Sequence, residues 1–142
     1  MSELDLAWWS PEYESTKVDR QAMIRARYPN LDMQPFEVEH GWLDLVDAFL
    51  ATVSRIEKET GVKVGAIRFS DDDGLGIDIV DIPPEVMGRL NGARKIAARI
   101  ASQQCEICSR PGIRSEVDGR KTTRCGDHPG WPLDDRAHEN DE

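Results

Sequence analysis

Three cysteines and one histidine in the last third of the chain have the types and spacing of a metal site. They form the pattern Cys105-x2-Cys108, sixteen intervening residues, and then Cys125-x2-His128. Zinc takes four ligands at the corners of a tetrahedron, and thiolate sulfur and imidazole nitrogen suit it well. Two ligands three positions apart can hold one ion from a single tight turn, so two such pairs complete its shell. The spacing therefore predicts one structural zinc ion.

Two other interpretations of these residues stay open at this point. A lone CxxC would fit a redox pair as well as a metal, and the matched CxxH is what favours the metal. The count of three cysteines rules out a fully paired disulfide framework within the chain. Asp127 and His138 are spare ligands if one of the four is misassigned. Because the set supplies four protein ligands and no open position, it favours a structural site over a catalytic one.

The segment between the two pairs must return the chain to its start, and it is rich in basic residues. Asp118-Gly119 is a strong signal for a two-residue hairpin turn. The basic residues can balance the charge of a site holding three thiolates. Alternatively they contact nucleic acid, although interleaved aromatic residues for base stacking are missing. The residues predicted for that contact are Arg114, Arg120, Lys121 and Arg124.

Charge is unevenly distributed along the 142 residues, whose formal net charge is −9. Residues 1–88 carry −10, residues 89–124 carry +6, and residues 125–142 carry −5. An acidic protein is a poor general binder of nucleic acid, because phosphate repels it. The acidic part suits a basic protein partner, whereas the basic part surrounds the predicted zinc site.

Hydrophobic periodicity predicts the elements that position this site. Apolar residues spaced by three and four predict a helix from Trp42 that ends at Gly61, and Pro11 begins a shorter helix that reaches Tyr28. Alternation predicts strands at 62–69 and 75–80, joined by the turn 70–74. A further helix opens at Pro83. Its predicted apolar face comprises Val86, Leu90, Ala93, Ala97 and Ile100.

These elements predict an α+β protein, with a small α-β-β-α core and a C-terminal module like a zinc ribbon or zinc knuckle. The predicted units are an N-terminal segment with a short helix at 1–34, the core at 35–103, the zinc module at 104–131, and a disordered acidic tail at 132–142. The paired Trp8 and Trp9 form a docking segment, for which packing onto this protein's own core is favoured over a partner.

Two other polar features are weaker candidates for a functional site. Asp71, Asp72 and Asp73 form a solvated turn, which is the predicted contact for a protein partner. His40 precedes a helix and is interpreted as a surface or capping residue rather than a base. No phosphate-binding loop or nucleophile elbow occurs in the sequence. The sequence therefore predicts no enzymatic activity.

The order of elements resembles a family of small, uncharacterised bacterial and bacteriophage proteins. The resemblance covers about residues 41–128 and rests on Gly41-Trp42 at a helix start, Gly74-Leu75 in a hairpin, and the four zinc residues. The acidic turn at 71–73 and Pro129-Gly130 after the second pair depart from that family. The cysteine spacing is also similar to zinc fingers of RNA-polymerase secondary-channel regulators, but strands and prolines stand where their coiled coil would lie.

The sequence thus predicts a non-enzymatic, zinc-stabilised interaction protein, for which the resemblance implies a phage origin. It would bind or inhibit a bacterial host protein through an acidic surface. The alternative is a nucleic-acid-binding or transcription-associated regulator that uses the basic segment 89–124. The start of the sequence lacks a signal peptide and no stretch suits a membrane span, so a cytoplasmic protein without membrane contact is expected.

Overall fold

The computed structural model of the chain describes residues 11–33, 36, 38–71 and 73–132. It contains helices α1 (Pro11–Arg27), α2 (His40–Thr60) and α3 (Met87–Ala101), the last preceded by a 3₁₀ turn at Pro84–Val86. The strands are β1 (Ile67–Ser70), β2 (Gly76–Ile79), β3 (Ile113–Val117), β4 (Arg120–Arg124) and β5 (Trp131–Pro132). The order α2-β1-β2-α3 followed by a small sheet confirms the predicted α+β class.

Helix α2 forms the centre of the core because its apolar residues recur on one face. Trp42, Leu43, Val46, Leu50 and Val53 are all inaccessible to solvent. The helix ends at Gly61, whose φ of 70° is left-handed and whose N–H donates to the carbonyl of Glu57. Glycine tolerates this conformation because it has no Cβ atom. The predicted helix and its predicted end are confirmed.

The β1–β2 hairpin covers one side of α2. Its two strands are antiparallel and pair Ile67 with Ile79 and Phe69 with Ile77. Ile67, Phe69 and Ile77 are buried, as the alternating pattern predicts. Strand β1 is shorter than the predicted strand at 62–69, because the chain first turns around the end of α2, where the N–H of Val64 donates to Glu57 Oε2.

The outer face of α3 departs from the sequence prediction. Val86, Leu90 and Ala97 are buried against the core as expected, but Ile100 keeps 40% of its surface exposed. Ala101 is fully buried instead, because the last turn of α3 presents that residue to the core. The predicted inward position of Ile100 is wrong, and an apolar side chain is left at the surface.

The second sheet has the strand order β4-β3-β5, with every neighbouring pair antiparallel. Hydrogen bonds connect this sheet and the segment before it to the rest of the protein. The N–H of Gly74, in the β1–β2 turn, donates to the carbonyl of Lys121 at 2.7 Å. The indole Nε1 of Trp42 donates to the carbonyl of Gln104 at 2.9 Å. The hairpin therefore contacts the second sheet directly, and the start of α2 contacts the segment between α3 and that sheet.

Candidate metal centre

The first pair of cysteines lies in a tight turn that follows α3. The N–H of Cys105 donates to the carbonyl of Arg110 at 2.7 Å, and the carbonyl of Cys105 accepts from the N–H of Ser109 at 3.0 Å. Ser109 has a φ of 72°, which folds the chain sharply back after Cys108. This turn, the first knuckle (residues 105–110), directs both cysteine sulfur atoms towards the second sheet.

The second pair is delivered by the β3–β4 hairpin. Its two turn residues, Asp118 and Gly119, have φ values of 52° and 82°, as a type I′ turn requires, which agrees with the predicted Asp-Gly turn. Strand β4 leads into the second knuckle (residues 125–128), where the N–H of His128 donates to the carbonyl of Cys125 at 3.1 Å. The hairpin therefore returns the chain to the first knuckle.

The four predicted ligands converge on one point. Their ligand atoms all lie within 4.8 Å of one another. Nδ1 of His128 is 3.4 Å from Sγ of Cys125 and 3.9 Å from Sγ of Cys105, and Sγ of Cys108 is 3.5 Å from Sγ of Cys125. Tetrahedral zinc, with bonds of about 2.3 Å to sulfur and 2.0 Å to nitrogen, requires edges of about 3.5–3.8 Å. The cluster has the size and donor set of a mononuclear metal site.

Three of the four ligands are buried. Cys105 is fully buried, Cys108 is 4% exposed and His128 is 8% exposed, whereas Cys125 is half-buried. Cys105 and Cys108 form a small apolar cluster with Ile107 and with Tyr13 of α1. A buried site with four protein ligands leaves no position where a water molecule could bind the metal and react.

The protonation of these groups follows from burial and from local hydrogen bonds. Burial raises the pKa of Cys108 to about 12, so a metal ion must displace its proton. Burial also acts on Cys125, but hydrogen bonds from the N–H groups of Asp127 and His128 and from the neighbouring thiols lower its pKa. Burial lowers the pKa of His128, which favours the neutral imidazole that a metal requires.

A buried carboxylate between the first two ligands was not singled out by the sequence. Glu106 is fully inaccessible, and its Oε2 accepts from Nε of Arg124 at 2.7 Å and from Arg120 at 3.3 Å. The N–H of Glu106 donates to the carbonyl of Thr123, and its carbonyl accepts from the N–H of Gly41. The sequence does contain a signal for this role: Glu106 is an acidic residue between the two cysteines of the CxxC pair, within a segment that is otherwise mainly basic.

The predicted nucleic-acid residues lie on β3 and β4 and take part in internal contacts. Arg124 is 4% exposed and is held by Glu106, so its burial argues against a nucleic-acid contact. Arg114 lies 3.3 Å from a carboxylate oxygen of Asp73, and Arg120 pairs with Glu106 and with Asp71. Lys121 is exposed.

The acidic turn has a structural role. Asp71 accepts from Arg120 through its backbone carbonyl as well as its carboxylate, and Asp73 pairs with Arg114, so both join the β1–β2 hairpin to the second sheet. Asp72 lies outside the described residues, so its predicted partner contact stays a prediction, as do those of Asp71 and Asp73.

The spare ligands and His40 lie elsewhere. Asp127 is exposed and pairs with Arg110 at 2.9 Å, whereas His138 lies outside the described residues. The prediction of a surface or capping role for His40 is wrong, because this side chain is fully buried. Its Nδ1 is 2.9 Å from Arg20 and its Nε2 is 3.1 Å from the carbonyl of Tyr13. His40 therefore fastens α1 to the start of α2.

Comparisons with known proteins give no relative. No protein family, curated protein or solved structure matches the chain. The resemblance to a bacterial and bacteriophage family therefore has no support from them. Within the described residues, no helix has the length and apolar character to cross a membrane. What the structure shows is a small protein of helices and two sheets, with three cysteines and one histidine that could bind a metal.

Proposed function

We propose that this is a non-enzymatic interaction protein whose fold is stabilised by one structural zinc ion. The observation that carries the proposal is the convergence of Cys105, Cys108, Cys125 and His128, whose ligand atoms lie within 4.8 Å of one another. Three sulfur donors and one imidazole favour zinc over magnesium or calcium, which prefer oxygen ligands. The four residues bind the ion, and no chemical step at the metal is needed.

The position of the cluster supports a structural role. The two knuckles come from separate stretches of chain, and the first knuckle also contacts the start of α2 through Gly41. A metal bound here would link the helical core, the turn after α3 and the second sheet at one point. Metal binding energy becomes folding energy in such a site, because the unfolded chain has no preformed site.

For the partner, we propose a protein with a basic binding surface. Several exposed carboxylates outside the second sheet form no ion pair within the described ranges. They are therefore better placed to bind another protein than the acidic turn, whose described carboxylates pair with arginines. They are Glu12, Asp19, Asp32, Asp81 and Glu85. Glu12 and Asp19 are seven positions apart on α1 and so share one face of that helix. Such a surface attracts a basic partner and increases its association rate.

The metal is tested by measuring zinc in the purified full chain and in Cys108→Ser. We expect one zinc per chain in the original protein, and loss of both the ion and cooperative thermal unfolding in the variant. Glu116→Gln, at an exposed position on β3, is the control and should keep the ion. Equal stoichiometric zinc in Cys108→Ser would show that the site is not the one proposed.

The partner is tested by affinity capture from bacterial lysate with and without nuclease. The variants compared are the charge reversals Glu12→Lys with Asp19→Lys, and separately Lys121→Glu. The proposal expects a stoichiometric protein that survives nuclease and is lost with the α1 variant alone. Capture of nucleic acid only, lost with Lys121→Glu, would overturn it in favour of the basic strands.

A further inference from the structure

Helix α3 is basic overall and exposes apolar side chains on one face. Ile96 and Ile100, four positions apart on one face, keep 55% and 40% of their surfaces exposed. The helix carries four basic residues and no acidic residue, although the whole chain has a net charge of −9. Exposed apolar residues that occur singly need no explanation, but these lie together along one helix.

These side chains border a groove between α2 and α3 with a volume of about 440 Å³. Its apolar lining includes Leu45, Phe49 and Ala93, as well as Ile96 and Ile100. The groove is open where α3 carries Gly88 and Gly92, since a Cβ atom added at either position would meet nothing within 4 Å. The groove is large enough for a few side chains of an extended or helical segment.

The charges around the groove specify what can occupy it. Arg89 and Arg55 share one carboxylate, Glu59, at 2.7 Å and 4.0 Å. Arg99, next to Ile100 in the sequence, has no ion-pair partner among the residues that the structure describes. A second copy of α3 would bring another four cations against these, which is unfavourable. The fitting occupant is a segment with apolar anchors and acidic neighbours.

We propose that the groove is covered by this chain's own N-terminal segment, residues 1–10, which lies outside the described residues. The segment alternates acidic and apolar residues and ends in two tryptophans, the side chains that bury most apolar surface. Its relevant residues are Glu3, Leu4, Asp5, Leu6, Trp8 and Trp9. The acidic side chains would face Arg55 and Arg89, which line the groove and share one carboxylate, and the apolar ones would fill the groove.

The connection of the segment to α1 makes this contact feasible. Tyr13, three residues after the segment, packs against Cys105 in the turn that directly follows α3. The segment therefore starts from the end of the molecule where α3 ends. Ten extended residues span up to about 33 Å, whereas the 15 residues of α3 measure about 22 Å. The inference does not depend on the metal.

Photo-cross-linking in the full chain tests this contact. The variant Ile96→p-benzoylphenylalanine places a reactive group at the groove, and Ile113, 58% exposed on β3, receives the same group as the control. We expect a cross-link within one chain, to residues 1–10, from the Ile96 position only. Adding Trp8→Ser and Trp9→Ser should lower its yield about tenfold or more, because burial of one large apolar side chain changes an equilibrium by about that factor.

Each other product would overturn the proposal. A cross-linked dimer would assign the groove to a second copy, and a cross-link to residues 133–142 would assign it to the other end of the chain. A yield at Ile96 no higher than at Ile113, in a variant with unchanged circular dichroism, would leave the groove uncovered. Adding Glu3→Lys and Asp5→Lys in place of the tryptophan changes tests the charge pairing, and an unchanged yield would contradict that part.

Discussion

The carboxylate of Glu106 accepts a 2.7 Å hydrogen bond from Nε of Arg124, although Glu106 is fully buried and Arg124 is 4% exposed. Glu106 belongs to the first knuckle, and Arg124 directly precedes the second. Nη1 of Arg124 also donates to the carbonyl of His128 at 3.4 Å. The pair therefore connects the two knuckles independently of any metal, and it fixes the position from which each supplies its ligands.

Breaking this pair is expected to destabilise the protein strongly. Glu106→Gln leaves the Arg124 guanidinium buried without its anionic partner, and such changes cost about 3–5 kcal/mol. Chemical denaturation of the zinc-loaded protein measures the loss in the free energy of unfolding. The same variant should bind zinc more weakly, because the two knuckles lose their fixed spacing.

An exposed ion pair supplies the control for Glu106. Arg68 and Asp78 face each other on β1 and β2 at 3.7 Å, with side chains 68% and 65% exposed. Asp78→Asn should cost less than about 1 kcal/mol, because water screens an exposed pair. Equal losses in the two variants would mean that the buried pair has no special role.

Gly41 is expected to tolerate no side chain. A Cβ atom at Gly41 would lie 2.6 Å from the carbonyl carbon of Glu106 and would overlap the carbonyl oxygen of Cys105. Relief of this overlap requires the metal-binding turn to move away from α2, so Gly41→Ala should cost at least about 1–3 kcal/mol. Thermal unfolding and zinc affinity should fall together.

The matched control is another glycine within a helix. A Cβ atom at Gly92 of α3 meets nothing within 4 Å. Gly92→Ala should cause no loss of stability, because alanine favours helix and no described residue opposes its Cβ atom. A stabilised Gly41→Ala variant would contradict the close packing of α2 against the first knuckle.

Both tyrosines of the chain should resist ionisation while the protein is folded. Burial and a hydrogen bond to Asp47 raise the pKa of Tyr28 to about 12, and burial and Glu39 raise the pKa of Tyr13 further. Absorbance at the phenolate band, followed against pH, should show no step near the ordinary pKa of about 10. Tyr28→Phe identifies which step belongs to that residue.

The direction of the pH effect follows from these raised pKa values. The folded state holds the two phenolic protons more tightly than the unfolded state, so their contribution is complete below about pH 10. It is lost as the pH rises through the folded-state values. The protein should therefore unfold in alkali together with phenolate formation. A two-tyrosine step at pH 10 with intact circular dichroism would contradict this.

Replacement of His128 tests whether this residue is a zinc ligand and whether a thiolate can take its place. His128→Ala removes one of four donors, and we expect a loss in zinc affinity beyond the roughly 10–100-fold that changes around metal ligands cause. His128→Cys supplies a fourth thiolate and should retain most of the zinc. Competition with a chromophoric chelator measures both affinities. Equal affinity of His128→Ala and the original chain would exclude His128 as a ligand.

Local sequence signals were sufficient for most elements of the fold. Periodicity placed α2, glycine placed its end at Gly61, and Asp118-Gly119 placed the turn between β3 and β4. The spacing of the two ligand pairs also predicts that Cys105 and His128 belong to one cluster, as the structure shows. Each of these features depends on interactions between residues close in the chain or on the known geometry of one ligand set.

Contacts between distant segments could not be predicted in this way. The sequence places His40 at the surface because it does not show that α1 covers this residue. It likewise gives no sign that Arg124 is buried, because its partner Glu106 belongs to the other knuckle. Periodicity assigns Ile100 to the core, yet α2 does not cover this side chain and it stays exposed. Burial of a charged residue is a property of its partners, which sequence spacing does not specify.

The hydrogen bond from Trp42 to Gln104 spans 62 positions of the sequence, and the one from Gln104 to the carbonyl of Gly41 spans 63. During synthesis, the beginning of α2 must therefore wait for the ribosome to deliver segments made much later. At about 5–20 residues per second, that delay lasts several seconds. Until then, the indole of Trp42 has no such acceptor, so the start of α2 cannot complete its packing while the first hundred residues are being made.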